Sequence, residues 1–328
     1  MHLPNHIQGL ETVQNDNLSW VNIEKPTRDK LDIISPKFSL HELNIEDCLS
    51  KNQLPKIDRY EDHIFIILQF PTTQKEKVFQ RFSQLSLFIG KNYLITIHQG
   101  DLKPLVELFQ SCKYDEHTNK QNIMGNSPGY LLHSILDTLV DDMLHILMKI
   151  IGNLDDIEDA VFDDKIAVAK EITILRREIT TLRRVVLPLK RIMSEIISRD
   201  VKKFSSSVEE EDLISYFEDV NDHIFKVLEA LDESKETIEI YKDTDFMLSS
   251  EKTNKILSFL TMLFTLSIPI TVLGTFFGMN IIIPGSVNAS DTVFDYVPLT
   301  IITTVSIGAA IIMIWLFRKF GWMNNITK

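Results

Sequence analysis

Two long runs without a charged residue near the C-terminus constrain the fold more than any other feature. They cover residues 256–277 and 297–317, which is 22 and 21 residues. At about 1.5 Å of rise per residue, a helix of either length can cross a hydrocarbon core about 30 Å thick. The alternative is a pair of buried helices in a soluble protein, but such helices are usually shorter and amphipathic. We therefore predict two transmembrane helices in a lipid bilayer.

The basic residues around these runs predict the orientation. Lys252 and Lys255 precede the first run, Arg318 and Lys319 follow the second, and the connection 278–296 contains no Lys or Arg. Because positive residues favour the cytoplasmic side, both termini are predicted to be cytoplasmic and the connection external. The N-terminal sequence has neither the cationic nor the apolar region of a signal peptide. We expect a multi-pass protein of the cell membrane.

Charge and cysteine content limit the partners of the remaining chain. The formal net charge is −12, and residues 1–255 account for −13 of it. Nucleic acid needs clustered Lys and Arg, so this acidic body argues against a nucleic-acid partner and suits cations. The run LRREITTLRR from Leu175 is interpreted as a solvated helix face with local pairing. Cys48 and Cys112 match no zinc or disulfide spacing and are interpreted as small, semi-buried thiols.

The first 125 residues have a mixed pattern of strands and helices. The strand-like segments are HIFIILQF from His63, QLSLFIG from Gln84 and NYLITIH from Asn92. The helix-like segments are HELNIEDCL from His41 and LKPLVELF from Leu102. The glycine- and proline-containing stretch MGNSPG then interrupts the chain at residues 124–129. We predict an α+β cytoplasmic domain, with an antiparallel or mixed sheet covered by helices, followed by a helical region.

A long helix is predicted to lead into the membrane. There is no proline between Pro188 and Pro269, and no glycine between Gly152 and Gly274. Apolar or small residues alternate at spacings of four and three at Leu213, Phe217, Val220, Ile224, Val227, Leu231, Ser234 and Ile238. A helix from about Glu210 to the end of the first run follows. It would either couple the cytoplasm mechanically to the membrane or serve as a coiled-coil stalk for dimerisation without conduction.

Polar residues on the first run predict an ion path. A chain with two spans cannot enclose water alone, so transport requires an oligomer. The first run carries the hydroxyls of Thr261, Thr265, Ser267 and Thr271, with Asn254 and Asn280 at its two ends. Mg²⁺ holds its inner waters tightly, and neutral amide and carbonyl oxygens can bind those waters without stripping them. Taken alone, the tripeptide Gly-Met-Asn serves equally well as a simple turn.

The segment PITVLGTFFGMN, at the end of the first of two C-terminal spans, resembles the CorA family of divalent-cation channels, whose signature is Gly-Met-Asn in that place. The resemblance covers most of the chain, and poorly matched parts are the first 40 or so residues, the external loop and the last few residues. Further matching segments are NIEDCLSKNQLPKIDRYEDHIFIIL, LSLFIGKNYLITIH, YLLHSILDTLVDDM, LRREITTLRRVVLPLKRIMSEI, YFEDVNDH and EKTNKILSFLT. One departure is Phe277, where many relatives carry Tyr.

This resemblance implies a funnel-shaped homopentamer in which Mg²⁺ is both the transported ion and a regulator. The implied selectivity filter at the external mouth is Gly278, Met279 and Asn280. The implied pore lining is an inner polar ring at Asn254, apolar constrictions at Leu257, Leu260 and Ile268, and a hydroxyl ring at Thr271. The implied regulatory metal ligands are Asp47 with Asp219 across a subunit interface, and Glu46 with Asp137 at a neighbouring site. A cation bound among such carboxylates offsets their repulsion and would hold the subunits closed.

The predicted organisation is a cytoplasmic α/β domain (1–125), a helical region and stalk (126–255), a pore-lining span (256–277), an external loop (278–296), a second span (297–317) and a cytoplasmic tail (318–328). The expected function is Mg²⁺ influx, with Co²⁺, Ni²⁺ or Zn²⁺ as other possible ions. One alternative is a zinc, cobalt or nickel transporter of the same fold, and another is a non-conducting membrane-anchored signalling or scaffold protein. No nucleophile–base pattern or phosphate loop indicates an enzyme.

Overall fold

The computed structural model describes residues 9–15, 17–50, 53–74, 77–114, 118–163, 168–201, 210–279 and 297–320 of the 328. Asn280, the rest of the predicted external loop and the last eight residues lie outside the described residues. The chain divides into two compact units, Met1–Lys242 and Asp243–Lys328.

A six-stranded mixed sheet forms the centre of the first unit. Its strands are β1 (Leu10–Asn15), β2 (Leu18–Glu24), β3 (Lys56–Arg59), β4 (His63–Gln74), β5 (Lys77–Gly90) and β6 (Tyr93–His98). The order across the sheet is β1-β2-β6-β5-β4-β3, and only the β2–β6 pair is parallel. The three predicted strands are confirmed as β4, β5 and β6. The strands β1, β2 and β3 were not predicted from the sequence.

Helices lie on both faces of the sheet. The helices of the first unit are α1 (Arg28–Phe38), α2 (Glu42–Leu49), α3 (Lys103–Tyr114), α4 (Thr118–Met124), α5 (Pro128–Val161) and α6 (Ala169–Glu195), which continues as a π-helical turn (Ile196–Asp200). A further helix, α7 (Glu210–Gly278), begins in the first unit and ends in the second, and α8 (Val297–Lys319) completes the chain. The predicted helices from His41 and Leu102 are confirmed as α2 and α3.

The alternation of side chains along β4 produces three layers. Ile64, Ile66 and Leu68 are buried in one core together with residues of α3, α5, α6 and α7. Phe65 and Ile67 point to the other face and are buried with residues of α1 and α2. Successive side chains of a strand leave opposite faces, so a strand that is apolar throughout must be covered on both sides. The predicted sheet covered by helices is thereby confirmed.

The chain break predicted at residues 124–129 marks the start of α5. Gly125 has a φ of +57°, which favours glycine because a side chain there would meet the ring of Tyr130. The hydroxyl oxygen of Ser127 accepts a hydrogen bond from the Tyr130 backbone N–H at 3.2 Å, and Pro128 follows in the first turn. This combination of cap and proline is a strong helix start.

The alternating seam of α7 is buried within its own chain. All eight of its predicted positions are buried, from Leu213 to Ile238, and seven belong to the core that contains α5 and α6. Arg176 and Arg183 of α6 form ion pairs with Glu239 and Asp232 of α7. Two arginines of the basic run therefore pair across helices. Residues of α5 and α6 cover the seam. The interpretation of the seam as a coiled-coil stalk for dimerisation is therefore wrong.

The second unit contains the two apolar helices predicted from the charge-free runs. Both α7 and α8 include segments long and apolar enough to cross a membrane by length and composition. In those segments 0% and 6% of the residues, respectively, are buried in the single chain. Apolar surface of this extent is normally covered by lipid or by other protein.

Candidate metal site and ion path

Three side chains able to bind a metal converge between α5 and α7. Asp137 belongs to α5, and Asp219 and His223 belong to α7. One ligand atom from each lies within 4.8 Å of the others. Asp219 and His223 are four residues apart and therefore share one face of α7. Val220 and Ile224 are buried in the same core as the apolar face of α5, and their packing brings Asp137 alongside.

The donor set of this group fits a divalent cation. Mg²⁺ takes octahedral ligands at about 2.0–2.1 Å, so atoms around one ion lie roughly 3 to 4 Å apart. Small side-chain rotations close the remaining distance, because Asp219 is exposed and the other two residues are half-buried. The carboxylate oxygens suit Mg²⁺, and the imidazole of His223 also suits Co²⁺, Ni²⁺ and Zn²⁺.

The electrostatics of the group favour an added cation. Burial, and then the carboxylate of Asp141, raise the pKa of Asp137. Burial lowers the pKa of the nearby His133. Over the described ranges no Lys or Arg forms an ion pair with Asp137 or Asp219, and Nδ1 of His223 is buried without a hydrogen-bond partner. A bound divalent cation would supply the positive charge that these neighbours lack.

The other two predicted metal ligands, Glu46 and Asp47, lie on α2. The resemblance paired Asp47 with Asp219 and Glu46 with Asp137 between subunits. Within one chain, the structure instead groups Asp137 with Asp219, and neither residue of α2 belongs to that group. The pairing between subunits therefore stays a prediction.

Asp47 already has a cationic partner. Its Oδ2 accepts a hydrogen bond from the Nζ of Lys56, the first residue of β3, at 2.7 Å. The same Nζ lies 2.6 Å from Oδ2 of Asp58. The Asp47 side chain is 20% exposed, so this carboxylate is partly shielded from water. A metal ion bound by Asp47 would share it with an ammonium group.

The five residues predicted to line the ion path share one face of α7. They are Asn254, Leu257, Leu260, Ile268 and Thr271, and each is exposed in the single chain. At about 100° per residue, these positions fall within an arc of roughly 120°. A face of this width can line a path in common with the same face of other copies.

The hydroxyl groups of this span donate their protons to the backbone of their own helix. They donate hydrogen bonds to backbone carbonyls in the preceding turn: Thr261 to Leu257 at 2.8 Å, Thr265 to Thr261 at 2.6 Å, Ser267 to Phe264 at 2.7 Å and Thr271 to Ser267 at 2.8 Å. Each oxygen keeps lone pairs that can accept a further hydrogen bond. Acceptors of this kind can bind the water protons of a hydrated cation.

The predicted mouth lies at the end of α7. Gly278 is the last residue of the helix, and Met279 follows it and is exposed. Asn280 lies outside the described residues. The predicted filter of these three residues therefore stays a prediction.

Sequence reasoning missed two residues of these sites, His223 and Lys56. A signal for His223 was present in the segment YFEDVNDH, because a histidine four residues after Asp219 shares its helix face. Lys56 had no comparable signal, since its contact with Asp47 depends on how β3 packs beside α2.

Together, a soluble α+β unit with a divalent-cation donor set and two apolar helices uncovered in the single chain define a membrane protein that handles metal ions. The family described as CorA-like Mg²⁺ transporter protein matches residues 15–319. The chain therefore belongs to this family, as the sequence resemblance predicted. Members are membrane-embedded metal-ion transport proteins rather than enzymes, which confirms the non-enzymatic interpretation.

Several known proteins are similar over most of the chain. The cobalt/magnesium transport protein CorA of Thermotoga maritima is 27% identical over 315 residues, which cover 93% of this chain and 83% of that protein. The cobalt/magnesium transport protein CorA of Methanocaldococcus jannaschii is 24% identical over 326 residues, covering 93% and 92%. The names of these relatives support divalent-cation transport.

Solved structures confirm the fold. The complete structure of the CorA magnesium transporter from Methanocaldococcus jannaschii has a TM-score of 0.74 at 20% identity, over 93% of this chain and 92% of that one. The ZntB cytoplasmic domain from Vibrio parahaemolyticus has a TM-score of 0.58 at 13% identity, over 71% and 88%. At 20% and 13% identity, these two structures show the fold alone.

Proposed function

We propose that the protein is a Mg²⁺ channel that mediates influx of divalent cations through an oligomer, a homopentamer with a funnel-shaped cytoplasmic body. The observation that carries this proposal is the face of α7 from residue 254 to residue 271. It combines amide and hydroxyl oxygens with apolar side chains and is uncovered in the single chain. Copies arranged around an axis with this face inward would enclose the path that one chain cannot.

Along this path, Gly278, Met279 and Asn280 form the external filter. The amide oxygen of Asn280 binds the waters of the hydrated ion, so selection by size and charge density needs no dehydration. Below the filter, Thr271 and Asn254 form polar rings. The apolar constrictions between these rings are formed by Leu257, Leu260 and Ile268.

The protein acts in the cell membrane with both termini in the cytoplasm. The membrane potential then drives cations inward. It contributes about 2.3 kcal/mol per charge per 100 mV, and about twice that for a divalent ion. No other energy source is required for uptake.

Cytoplasmic Mg²⁺ closes the channel by binding between subunits. Asp47 meets Asp219 of the partner subunit, with Glu46 and Asp137 at the neighbouring site, and His223 adds a nitrogen ligand. The crowding of Asp137 and Asp219 without an ion-paired Lys or Arg in the described chain supports this role. A bound cation offsets the repulsion and holds the subunits together, and its loss loosens them.

The test is Mg²⁺ uptake into proteoliposomes at an inward-negative potential. Asn280→Ala should abolish most Mg²⁺ uptake, because the ring of amide acceptors is lost. Asn288→Ala, a change of the same type in the same loop, should leave uptake unchanged. If Asn280→Ala conducts every divalent ion as the wild type does, the filter is wrong. If the wild type conducts none, the protein is the non-conducting scaffold.

A second candidate is a transporter of Zn²⁺, Co²⁺ or Ni²⁺ on the same fold. His223 favours it, because an imidazole binds these ions more tightly than it binds Mg²⁺. Uptake of each ion alone and in competition separates the two candidates. Entry of Zn²⁺ with neither entry of Mg²⁺ nor competition from it would select the second.

A further inference from the structure

Lys56 lies between two carboxylates at the edge of the proposed regulatory site. Its Nζ is 2.7 Å from Oδ2 of Asp47 and 2.6 Å from Oδ2 of Asp58. The ammonium also lies 5.4 Å from the centroid of the Phe65 ring. Three contacts on one side chain that is 36% exposed hold the charge in a defined position. Lys56 is therefore a fixed neighbour of Asp47.

We propose that Lys56 competes with the divalent cation for Asp47 and thereby sets the Mg²⁺ concentration at which the regulatory site fills. This inference rests on the proposed function, in which Asp47 is a ligand of the regulatory ion. It assigns to Lys56 the role of a tethered cation that neutralises Asp47 when the divalent ion is absent.

The geometry makes the two cations competitors. A Mg²⁺ ion bound directly to the Asp47 carboxylate lies about 2.1 Å from an oxygen. With the ammonium 2.7 Å from Oδ2, the two positive charges could be no more than about 5 Å apart if they shared that oxygen. Like charges at this distance repel, and the effect is larger at a partly shielded carboxylate. Binding of a divalent ion at Oδ2 therefore favours withdrawal of Lys56.

Asp58 gives the displaced ammonium a partner. Its carboxylate already accepts a hydrogen bond from the same Nζ, so Lys56 loses only one of its two ion pairs when Asp47 turns to the metal. The exchange needs no large movement of β3. By holding the ammonium of Lys56, Asp58 favours binding of the metal to Asp47, although Asp58 does not bind the metal itself.

The two carboxylates of the proposed intersubunit pair thus differ in their surroundings. Asp219 belongs to a group that has no ion-paired Lys or Arg within the described ranges, whereas Asp47 is paired. The Asp219 side attracts the cation, and the Asp47 side raises the concentration required. A sensor that must stay empty at low Mg²⁺ and fill at high Mg²⁺ needs both properties.

The test is a Mg²⁺ titration of the full-length protein in detergent, followed by protection from limited proteolysis and by the thermal unfolding midpoint. Lys56→Gln should lower the Mg²⁺ concentration for half-protection by up to about fivefold, the range expected for removing one ion-pair competitor. Asp58→Asn should raise it, because the ammonium then pairs with Asp47 alone. Lys56→Arg, which keeps the charge, should stay at or above the wild-type value.

Lys113→Gln is the matched control. Lys113 is also 36% exposed and pairs with one carboxylate, Glu11, at 3.0 Å. Replacement of Lys113 should leave the Mg²⁺ concentration for half-protection unchanged. If Lys56→Gln does not fold, the opposite shift expected for Asp58→Asn still decides the question.

The outcomes separate this inference from the proposed function. If Mg²⁺ does not protect the wild type, or if Asp47→Asn leaves protection unchanged, the proposed regulatory site is wrong and the inference falls with it. A second outcome is that Asp47→Asn removes protection while Lys56→Gln leaves the Mg²⁺ concentration for half-protection unchanged or raises it. In that case only the role of Lys56 is overturned. If Asp58→Asn leaves the Mg²⁺ concentration for half-protection unchanged, the proposed exchange of the Lys56 ammonium between Asp47 and Asp58 is contradicted.

Discussion

At the scale of single residues, His98 shows how the sheet holds a titratable side chain neutral. The Gly100 backbone N–H donates to its Nδ1 at 3.1 Å, so the ring proton lies on Nε2, which is 3.0 Å from the side-chain oxygen of Asn22. Thr96 donates to the same oxygen at 2.7 Å. The ring is buried, and burial lowers the pKa of His98 from 6.5 to about 4.

This pKa shift predicts a loss of stability in mild acid. The unfolded chain takes up a proton at its ordinary pKa near 6.5, whereas the folded protein resists protonation until about pH 4. The contribution of His98 is therefore full above pH 6.5 and declines between pH 6.5 and 4, by about 3 kcal/mol in total. The thermal midpoint of detergent-solubilised protein should fall across this window. His98→Gln, which cannot titrate, should give a flatter curve, and identical slopes would contradict the assignment.

A second prediction at this scale concerns the choice of ion at the candidate metal site. His223→Ala removes the only nitrogen ligand of the described group and leaves both carboxylates. The concentration of Co²⁺ needed for protection from proteolysis should rise by about tenfold or more, and that of Mg²⁺ much less, because Mg²⁺ prefers oxygen. His145→Ala, an exposed change on α5, is the control. Equal shifts for the two ions would exclude His223 as a ligand.

At the scale of elements, the π-helical turn that ends α6 is tied to the edge of the sheet. Arg59 of β3 binds the carboxylate of Asp200 twice, with Nε 3.1 Å from Oδ1 and Nη2 2.8 Å from Oδ2. Nη2 also lies 3.2 Å from Glu195. Asp200 is fully buried, so its charge depends on this partner.

Breaking this contact should destabilise the soluble unit strongly. Arg59→Met leaves the Asp200 carboxylate buried without its partner, which costs about 3–5 kcal/mol. Urea unfolding of the detergent-solubilised protein, followed by circular dichroism, measures the loss. Arg183→Met removes an ion pair with Asp232 that is exposed to solvent and should have no resolvable effect. Comparable losses in the two variants would show that burial of Asp200 is not the cause.

The elements that were predictable are those with strong local patterns. The continuous apolar run of β4 and the alternating seam of α7 each specify an element by period and length. The strands β1 and β2 were missed because LETVQN and LSWVNIE are short and partly polar. Their place depends on the parallel pairing of β2 with β6, from Ser19 with Tyr93 to Glu24 with His98, which no local pattern reveals.

At the scale of the whole molecule, the candidate site combines predictable and unpredictable parts. The residue types were predictable, since Asp137 and Asp219 lie in acidic segments that resemble the family. Their meeting within one chain was not, because it depends on the rotation of α7 against α5. The contact between Lys56 and Asp47 likewise requires the three-dimensional arrangement of β3 and α2.

The predicted orientation in the membrane is testable with thiol labelling. Asn288→Cys should react with a membrane-impermeant maleimide in intact cells, because the loop without Lys or Arg is predicted to be external. Lys328→Cys should react only after permeabilisation. The native thiols give a low background, since both are buried and burial raises the pKa of Cys48 to about 12 and that of Cys112 to about 11. Labelling of residue 328 in intact cells would reverse the orientation.

The hydrogen bonds from the hydroxyl groups of the first span to its own carbonyl oxygens affect how anions, as well as cations, would interact with the span. A chloride ion requires N–H or O–H donors directed at it. From Thr261 to Thr271 the hydroxyl protons on α7 are donated to carbonyl oxygens of the helix itself. An anion in the proposed path would therefore meet lone pairs and hydrocarbon along this stretch. In the proposed path, these hydroxyl-to-carbonyl hydrogen bonds would thus disfavour anions independently of any acidic residue.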